Sequence, residues 1–350
     1  MTGAIDVAAQ ARGVRAGDRR CLARAITLVE SVHPEHRAAA HRLVAELLPA
    51  AGRARRVGVT GLPGAGKSTL LEALGTALVA AGQRVAVLAV DPSSGRTGGS
   101  ILGDRTRMPR LAALPGAFVR PAPSGGTLGG VAAATGDVLV LLDAAGFDVV
   151  LVETVGTGQS ESAVRALVDT LVLVGLAGTG DDLQHIKCGV AELADVFVLN
   201  KADGPRAGEV RRAAAELGRA RRTGRSGAAG WSPPVVACSA LENTGVDTLW
   251  EHVLRHQRAE PAGGETRRRA AVDGLWSEVQ AQSLRALRTD PAVRVLRRQV
   301  EAQVADGRML PGPAAELLLR AWRDHSRDDR PPAADAVGGP VSGAGGPHRR

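Results

Sequence analysis

The chain of 350 residues is long enough for one large α/β domain with helical additions, or for two small domains, and it can bury a sizeable core. Its net charge is +8, yet no basic stretch is interleaved with aromatic residues, so we predict no nucleic-acid partner. Cys21, Cys188 and Cys238 have no paired spacing, which argues against a disulfide framework or a zinc motif and is typical of a reducing cytosol. No apolar run reaches the roughly 18–20 residues of a membrane span, and Met1 leads into no signal peptide, so we expect a soluble, cytoplasmic protein without a membrane partner.

Residues 1–52 are predicted to form a helical extension. Apolar residues recur at helical spacing on both sides of His33-Pro34, which separates helices predicted over Arg19–Val32 and Glu35–Leu48.

From residue 53 to residue 260 the pattern alternates between strands and helices. The apolar runs predicted as strands are Arg56–Thr60, Gln83–Val90, Phe147–Glu153, Thr170–Leu176, Asp195–Leu199 and Val235–Cys238. Runs that are apolar throughout indicate strands covered on both faces. We therefore predict an α/β fold with a mostly parallel central sheet between layers of helices.

The remaining sequence is predicted to be helical and then disordered. After a linker at Pro261–Glu265, residues 265–325 are predicted as a C-terminal helical segment, with helices over Arg267–Arg288, Pro291–Ala305 and Pro313–Trp322. In residues 326–350 Pro, Gly, Asp and Arg dominate, which predicts a disordered tail.

A glycine-rich loop between the first strand and a helix carries the clearest chemistry. The pattern Gly-Leu-Pro-Gly-Ala-Gly-Lys-Ser-Thr is that of the phosphate-binding P-loop of nucleoside triphosphatases. Backbone N–H groups would surround the phosphates, the lysine would reach the β- and γ-phosphates, and the serine hydroxyl would bind Mg²⁺. The residues predicted to bind the nucleotide here are Gly61, Pro63, Gly64, Ala65, Gly66, Lys67, Ser68 and Thr69.

The distribution of lysine supports this interpretation. Among 44 basic residues only Lys67, Lys187 and Lys201 are lysines. Arginine and lysine are not interchangeable at specific sites, so these three positions are predicted to need a compact ammonium group.

Carboxylates at the ends of two predicted strands are candidates for the metal and for catalysis. Asp91 and Glu153 each end an apolar run, and the carboxyl ends of parallel strands meet at one edge of the sheet. We expect both to meet the P-loop and to hold Mg²⁺ together with Ser68. Glu153-Thr-Val-Gly156 has the spacing of a switch that senses the γ-phosphate through the Gly156 N–H group.

Two further motifs identify the base. Asn200-Lys201-Ala202-Asp203 and Ser239-Ala240-Leu241 each follow a predicted strand. The Asp203 carboxylate can accept hydrogen bonds from N1–H and the 2-amino group of guanine, which adenine lacks. Asn200 is predicted to bond the N7/O6 edge, and the Ala240 N–H group to donate to O6. The predicted nucleotide is therefore GTP or GDP.

Together with further sequence runs, these motifs resemble those of the MeaB/ArgK GTPases, which are chaperones of adenosylcobalamin-dependent methylmalonyl-CoA mutase and its relatives. The resemblance covers about residues 10–325 and is carried by the runs Val85–Ser94, Arg96–Asp104, Gly126–Ala132, Ala144–Gly156 and Gly180–Lys187. It implies a P-loop GTPase fold, a homodimer formed through the C-terminal helices as a dimerisation arm, and GTP hydrolysis that gates delivery of the cofactor to the mutase and removal of inactivated cofactor.

The resemblance also implies roles for individual residues. Asp104 joins Ser68, Asp91 and Glu153 in the magnesium and hydrolysis region, and Glu153, Asp104 and Gln159 remain alternatives for positioning the attacking water. A third switch that touches the mutase is implied at Asp181, Asp182, Gln184 and Lys187. Cys188 stands where the family pattern has a second basic residue, which leaves the strength of that coupling open.

Two other classes of function remain as alternatives. A metallochaperone GTPase for a nickel enzyme would share the P-loop, but it should carry a cysteine-containing metal motif or a His-rich tract. A small-molecule kinase would need a general base facing an acceptor pocket, and the sequence outside the GTP site indicates no such pocket.

Overall fold

The structure is a computed structural model that describes residues 5–31, 33–91, 108–123, 128–154, 164–177, 190–222, 231–259 and 265–328. The predicted site residues Asp104, Gly156 and Gln159, the predicted switch Asp181–Lys187, and residues 329–350 of the predicted tail lie outside these ranges. The chain divides into two compact units between Ala281 and Gln282, and each unit is described by itself.

The first unit is built on a seven-stranded parallel sheet. The strands are β1 (Arg55–Gly61), β2 (Val85–Asp91), β3 (Ala117–Pro123), β4 (Val149–Thr154), β5 (Thr170–Leu176), β6 (Val196–Asn200) and β7 (Val235–Ala237). Their order across the sheet is β3-β2-β4-β1-β5-β6-β7, and every neighbouring pair is parallel. The mostly parallel sheet predicted from the sequence is confirmed.

The strand β3 was not predicted from the sequence. It contains Pro121 and Pro123, and proline normally argues against a central strand because it cannot donate to the ladder. Within the described part of the chain β3 is an edge strand that pairs with β2 alone, which explains how the prolines are tolerated.

Helices cover both faces of the sheet, and apolar side chains fill each layer. Among the described residues, the helices of this unit are α1 (Val7–Arg15), α2 (Arg19–Val29), α3 (Pro34–Leu47), α4 (Lys67–Ala80), α5 (Pro109–Ala112), α6 (Leu128–Ala144), α7 (Val190–Leu193), α8 (Ala207–Arg222) and α9 (Val246–Ala259). Leu22, Ile26 and Leu43 of the N-terminal helices pack with α6 against one face of the sheet. Leu70, Leu74 and Leu249 of α4 and α9 belong to the core on the opposite face.

The N-terminal helices begin where carboxylates cap them. Asp6 accepts from the Ala9 N–H group, and Asp18 accepts from the N–H groups of Arg20 and Cys21. The backbone bonds to Cys21 and Arg20 lower the pKa of the Asp18 carboxyl group.

The long helix α10 (Glu265–Thr289) begins in the first unit and continues into the second. Its first turn is fastened by Arg267, whose Nε and Nη2 atoms donate to the two carboxylate oxygens of Asp169 at 2.6 Å each. The same guanidinium donates to the carbonyl groups of Gly52 and Ala54, just before β1. Bidentate pairing of this kind fixes orientation as well as position.

The second unit contains the helices α11 (Pro291–Ala305) and α12 (Pro311–Asp328). Asp290 caps α11 by accepting from the N–H groups of Ala292 and Val293. Val293, Val300 and Ala314 are its buried apolar side chains among the described residues.

Candidate nucleotide site

The P-loop lies where β1 ends and α4 begins. Gly61 has φ +141°, and a Cβ atom there would lie 2.0 Å from the Val174 carbonyl oxygen. Gly66 has φ +85°, and a Cβ atom there would lie 2.6 Å from the Asn200 Nδ2 atom. Both positions therefore require glycine, because a side chain would collide with the neighbouring strand or with the side chain that braces the loop.

Lys67 is the first residue of α4 and is only 8% exposed. Its Nζ atom donates to the carbonyl oxygens of Gly61 at 2.7 Å and Leu62 at 3.0 Å. The ammonium group is thus held inside the loop, beside the N–H groups of the helix N-terminus. This arrangement of positive charge and helix N–H donors is a binding site for phosphate.

Ser68 and Glu153 meet at the same edge of the sheet. The Ser68 hydroxyl donates to Glu153 Oε1 at 2.7 Å, and Glu153 is 8% exposed. Glu153 pairs with Val59 of β1, so β4 delivers this carboxylate directly to the P-loop. A hydroxyl and a carboxylate are oxygen ligands of the kind that Mg²⁺ prefers, so the residues present fit that ion.

Asp91 ends β2, on the other side of β4 from β1. Its backbone lies at the carboxyl edge of the sheet, as predicted, and it pairs there with Pro123 of β3. Among the described residues, no group of three or more His, Cys, Asp or Glu side chains is arranged to hold a metal ion.

Asn200 connects the P-loop to the segment after β7. Its Nδ2 atom donates to the Ala65 carbonyl oxygen at 2.9 Å, and its Oδ1 atom accepts from the Ala240 N–H group at 3.1 Å. The sequence predicted that both Asn200 and Ala240 face the base. In the structure these two groups bond to each other. Asn200 therefore connects the P-loop to the segment Ser239-Ala240-Leu241.

Asp203 and Ser239 form the second link in this region. The Ser239 hydroxyl donates to Asp203 Oδ1 at 2.8 Å and accepts from the Glu242 N–H group at 3.0 Å. Lys201 has φ +63°, a left-handed conformation that is uncommon outside glycine. Leu241 is 78% exposed. The two predicted base motifs therefore lie side by side and next to the P-loop.

Cys238 lies directly before this segment and is fully buried. Burial raises the pKa of its thiol to about 12, and the thiol donates to the Gly245 carbonyl oxygen at 3.2 Å. A buried thiol of this kind is a packing group, because the thiolate is the nucleophile and the metal ligand.

The parallel sheet, the P-loop and the two base motifs define a P-loop GTPase. A family model described as "Methylmalonyl Co-A mutase-associated GTPase MeaB" matches residues 22–292, and the chain belongs to this family. The resemblance inferred from the motifs is thus confirmed. The protein binds guanine nucleotides and hydrolyses GTP.

Individual relatives agree with this assignment. A protein of Mycobacterium tuberculosis named "Probable GTPase Rv1496" is 54% identical over 312 residues, which cover 88% of this chain and 93% of that protein. The mouse protein "Methylmalonic aciduria type A homolog, mitochondrial" is 40% identical over 324 residues, which cover 89% of this chain and 78% of that protein. A crystal structure of a protein named "LAO/AO transport system kinase" has a TM-score of 0.69 at 35% identity and covers 91% of this chain and 98% of that one.

No helix within the described part of the chain is both long enough and apolar enough to cross a membrane.

Proposed function

We propose that this GTPase is a chaperone of an adenosylcobalamin-dependent acyl-CoA mutase, such as methylmalonyl-CoA mutase, and that it gates loading, protection and release of the cofactor in the cytoplasm. The observation that carries the proposal is the match of residues 22–292 to a family described as methylmalonyl-CoA mutase-associated. The name of the mouse relative refers to methylmalonic aciduria, which supports the same class of partner enzyme.

The site suggests how hydrolysis would be organised. Lys67 would transfer its hydrogen bonds from the Gly61 and Leu62 carbonyl groups to the β- and γ-phosphates, where the charge is higher. Ser68 and Glu153, with Asp91 and Asp104, would hold Mg²⁺, which neutralises charge that develops on the phosphate oxygens. Glu153, Asp104 and Gln159 are the candidates for positioning the attacking water.

The segment Asp181–Lys187 is proposed to contact the mutase. It follows β5 and precedes β6, which ends in Asn200. A partner that binds one conformation of this segment preferentially must shift the nucleotide site by the same differential free energy. The proposed contacts are made by the charged and polar side chains Asp181, Asp182, Gln184 and Lys187.

An apolar stripe on α10 supports the proposed homodimer. Val272, Leu275, Trp276 and Val279 follow the spacing of one helix face, and they are 55%, 59%, 63% and 42% exposed. Contiguous exposed apolar side chains around a tryptophan are typical of protein interfaces. We propose that a second copy of this chain covers the stripe.

The experiment that tests the chaperone role measures GTP hydrolysis with and without a purified methylmalonyl-CoA mutase. We expect the mutase to stimulate the wild-type rate. Lys187→Ala and Asp182→Ala should keep intrinsic hydrolysis within a few-fold of wild type but lose most of the stimulation. Arg211→Ala, an exposed change on α8, is the matched control and should be stimulated fully. Full stimulation of both switch variants would contradict the proposed role of this segment, and no stimulation or binding of any mutase tested would contradict the chaperone function.

A small-molecule kinase is the second candidate, because the 35% identical protein of known structure is named a transport system kinase. A kinase would transfer the γ-phosphate to an acceptor other than water. GTP labelled in its γ-phosphate and incubated with cell metabolites distinguishes a kinase from a chaperone. A chaperone should release the label only as inorganic phosphate.

A further inference from the structure

Two buried threonines, Thr60 of β1 and Thr154 of β4, lie at the carboxyl ends of neighbouring strands, next to the P-loop. Val59 pairs with Glu153, and Thr60 and Thr154 are the next residue on each strand. Side chains alternate along a strand, so both threonines point to the face opposite Glu153 and Ser68. On that face Val150 and Val152 of β4 pack with α6.

Neither hydroxyl group has a hydrogen-bond partner among the residues that the structure describes. Thr60 and Thr154 are each 0% exposed, and within the described part of the chain no partner for either Oγ1 atom is present. A buried polar group without a partner destabilises the fold, so such groups are few in native proteins and call for an explanation. Valine would fill the same space and is favoured in strands, which makes a threonine at both positions costly unless the hydroxyls are used.

The neighbours of the two threonines in the chain indicate when the hydroxyls would be used. Thr60 precedes Gly61, the first P-loop residue, and Thr154 follows Glu153, which bonds to Ser68. Thr154 also precedes by two residues Gly156, the predicted sensor of the γ-phosphate. Buried polar groups without partners, like other unfavourable local features, are expected mainly at functional sites.

We propose that the Thr60 and Thr154 hydroxyls are positioning groups that acquire hydrogen-bond partners only when a nucleoside triphosphate is bound. The two side chains then stabilise the GTP-bound state relative to the GDP-bound state without touching the nucleotide. This inference concerns the isolated GTPase and does not depend on the mutase.

The test replaces each hydroxyl by a methyl group and measures two properties of the purified chain. Thr60→Val and Thr154→Val should raise the midpoint of thermal unfolding of the chain without nucleotide by about 1–3 °C, because an unpaired polar group is removed. The same changes should lower the affinity for a non-hydrolysable GTP analogue relative to GDP by about three- to tenfold, the effect of one hydrogen bond. Thr154→Ser keeps the hydroxyl and should keep the affinity ratio.

Two threonines elsewhere, each with a buried hydroxyl group, serve as controls. The Thr76 Oγ1 atom is also buried without a partner in the described part of the chain, but it lies on α4, about 13 Å along the helix from Lys67. Thr76→Val should stabilise the fold and leave the affinity ratio unchanged. Thr170 is 0% exposed and its hydroxyl bonds to His256 Nδ1 at 3.0 Å, so Thr170→Val should destabilise the fold with the ratio unchanged.

The two measurements make the proposal falsifiable in separate ways. If Thr60→Val and Thr154→Val destabilise the chain as Thr170→Val does, the hydroxyls are already bonded in the absence of nucleotide and the proposal is wrong. It is equally wrong if both variants keep the wild-type ratio of GTP-analogue to GDP affinity. Stabilisation together with a reduced ratio supports it.

Discussion

Lys67 determines whether the P-loop can hold a triphosphate. We predict that Lys67→Ala weakens GTP binding on the order of a hundredfold or more, since two charge-assisted hydrogen bonds of roughly 1.5–3 kcal/mol each are lost. Lys67→Arg should also fail, because a planar guanidinium does not fit a pocket closed by the Gly61 and Leu62 carbonyl groups. Calorimetry measures the affinity, and circular dichroism checks that both variants fold. Unchanged affinity in Lys67→Ala would refute the role of the lysine.

Asp203 is predicted to select guanine. In Asp203→Asn the amide presents one acceptor and one donor in place of two acceptors, so affinity should shift from GTP towards XTP by more than about tenfold. The Ser239 hydroxyl, which donates to Asp203 Oδ1, can donate equally to the amide oxygen, so the loop should keep its position. Competition between GTP and XTP measures the shift, and a mutant that prefers GTP as strongly as wild type would exclude the assignment.

At the scale of residues, the sequence predicts which side chains gather but not all of their contacts. Motif spacing and strand ends predict Glu153 beside the P-loop, and in the structure its carboxylate accepts a hydrogen bond from the Ser68 hydroxyl. The bridge made by Asn200 was not foreseen, because it joins Ala65 and Ala240, which are far apart in the chain. Such a contact depends on β1 and β6 lying two strands apart, with β5 between them.

At the scale of elements, apolar runs identified six of the seven described strands. They are continuous because both faces of the sheet are covered, which makes them easy to recognise. The strand β3 was missed because proline argues against a strand unless it lies at an edge, and the edge position is not known before the sheet is assembled. The strand order was beyond sequence analysis for the same reason: crossovers between parallel strands fix handedness but not which neighbour a strand takes.

The packing of α6 against α3 and α10 contains a carboxyl group whose titration should affect stability. Asp137 of α6 lies near Arg37 and His41 of α3 and Glu278 of α10, and Arg37 pairs with Glu278 at 3.2 Å. The pKa of Asp137 is raised from 3.8 to about 6: burial has the largest effect, His41 and Arg37 lower the pKa, and Glu278 raises it. The fold therefore favours the protonated form of this carboxyl group.

We predict the sign of the resulting pH dependence from linkage. The contribution of Asp137 to the free energy of unfolding is fully present below about pH 4 and is lost as the pH rises through about 6. Asp137→Asn, which resembles the protonated form, should be more stable than wild type by about 1–3 kcal/mol at pH 7, and the difference should vanish near pH 4. Urea denaturation across this range measures it. Asp273→Asn, an exposed change on α10, should show no such trend, and a destabilised Asp137→Asn at pH 7 would contradict the prediction.

At the scale of the whole molecule, α10 is the element whose two sides have different roles. Arg267 and Glu278 fasten it through ion pairs to Asp169 and Arg37 of the first unit. Its apolar stripe instead faces away from the described core, and Trp276 on the stripe is 63% exposed. Ion pairs at an exposed helix contribute little unless they are bidentate and part of a network, as Arg267 is with Asp169 and the carbonyl groups before β1.

The exposed apolar stripe of α10 predicts how a charge at Trp276 would affect dimerisation. If a second copy covers the stripe, Trp276→Glu places a charge at the centre of an apolar interface and should weaken dimerisation on the order of thirtyfold or more. Nucleotide affinity should be unchanged, because Trp276 belongs to neither the P-loop nor the base motifs. Sedimentation velocity over a range of protein concentrations measures the shift from dimer to monomer. Asp273→Lys, about a third of a helical turn from the stripe, is the control for added charge and should remain dimeric. A Trp276→Glu protein that sediments as the same dimer as Asp273→Lys would show that another surface joins the two copies.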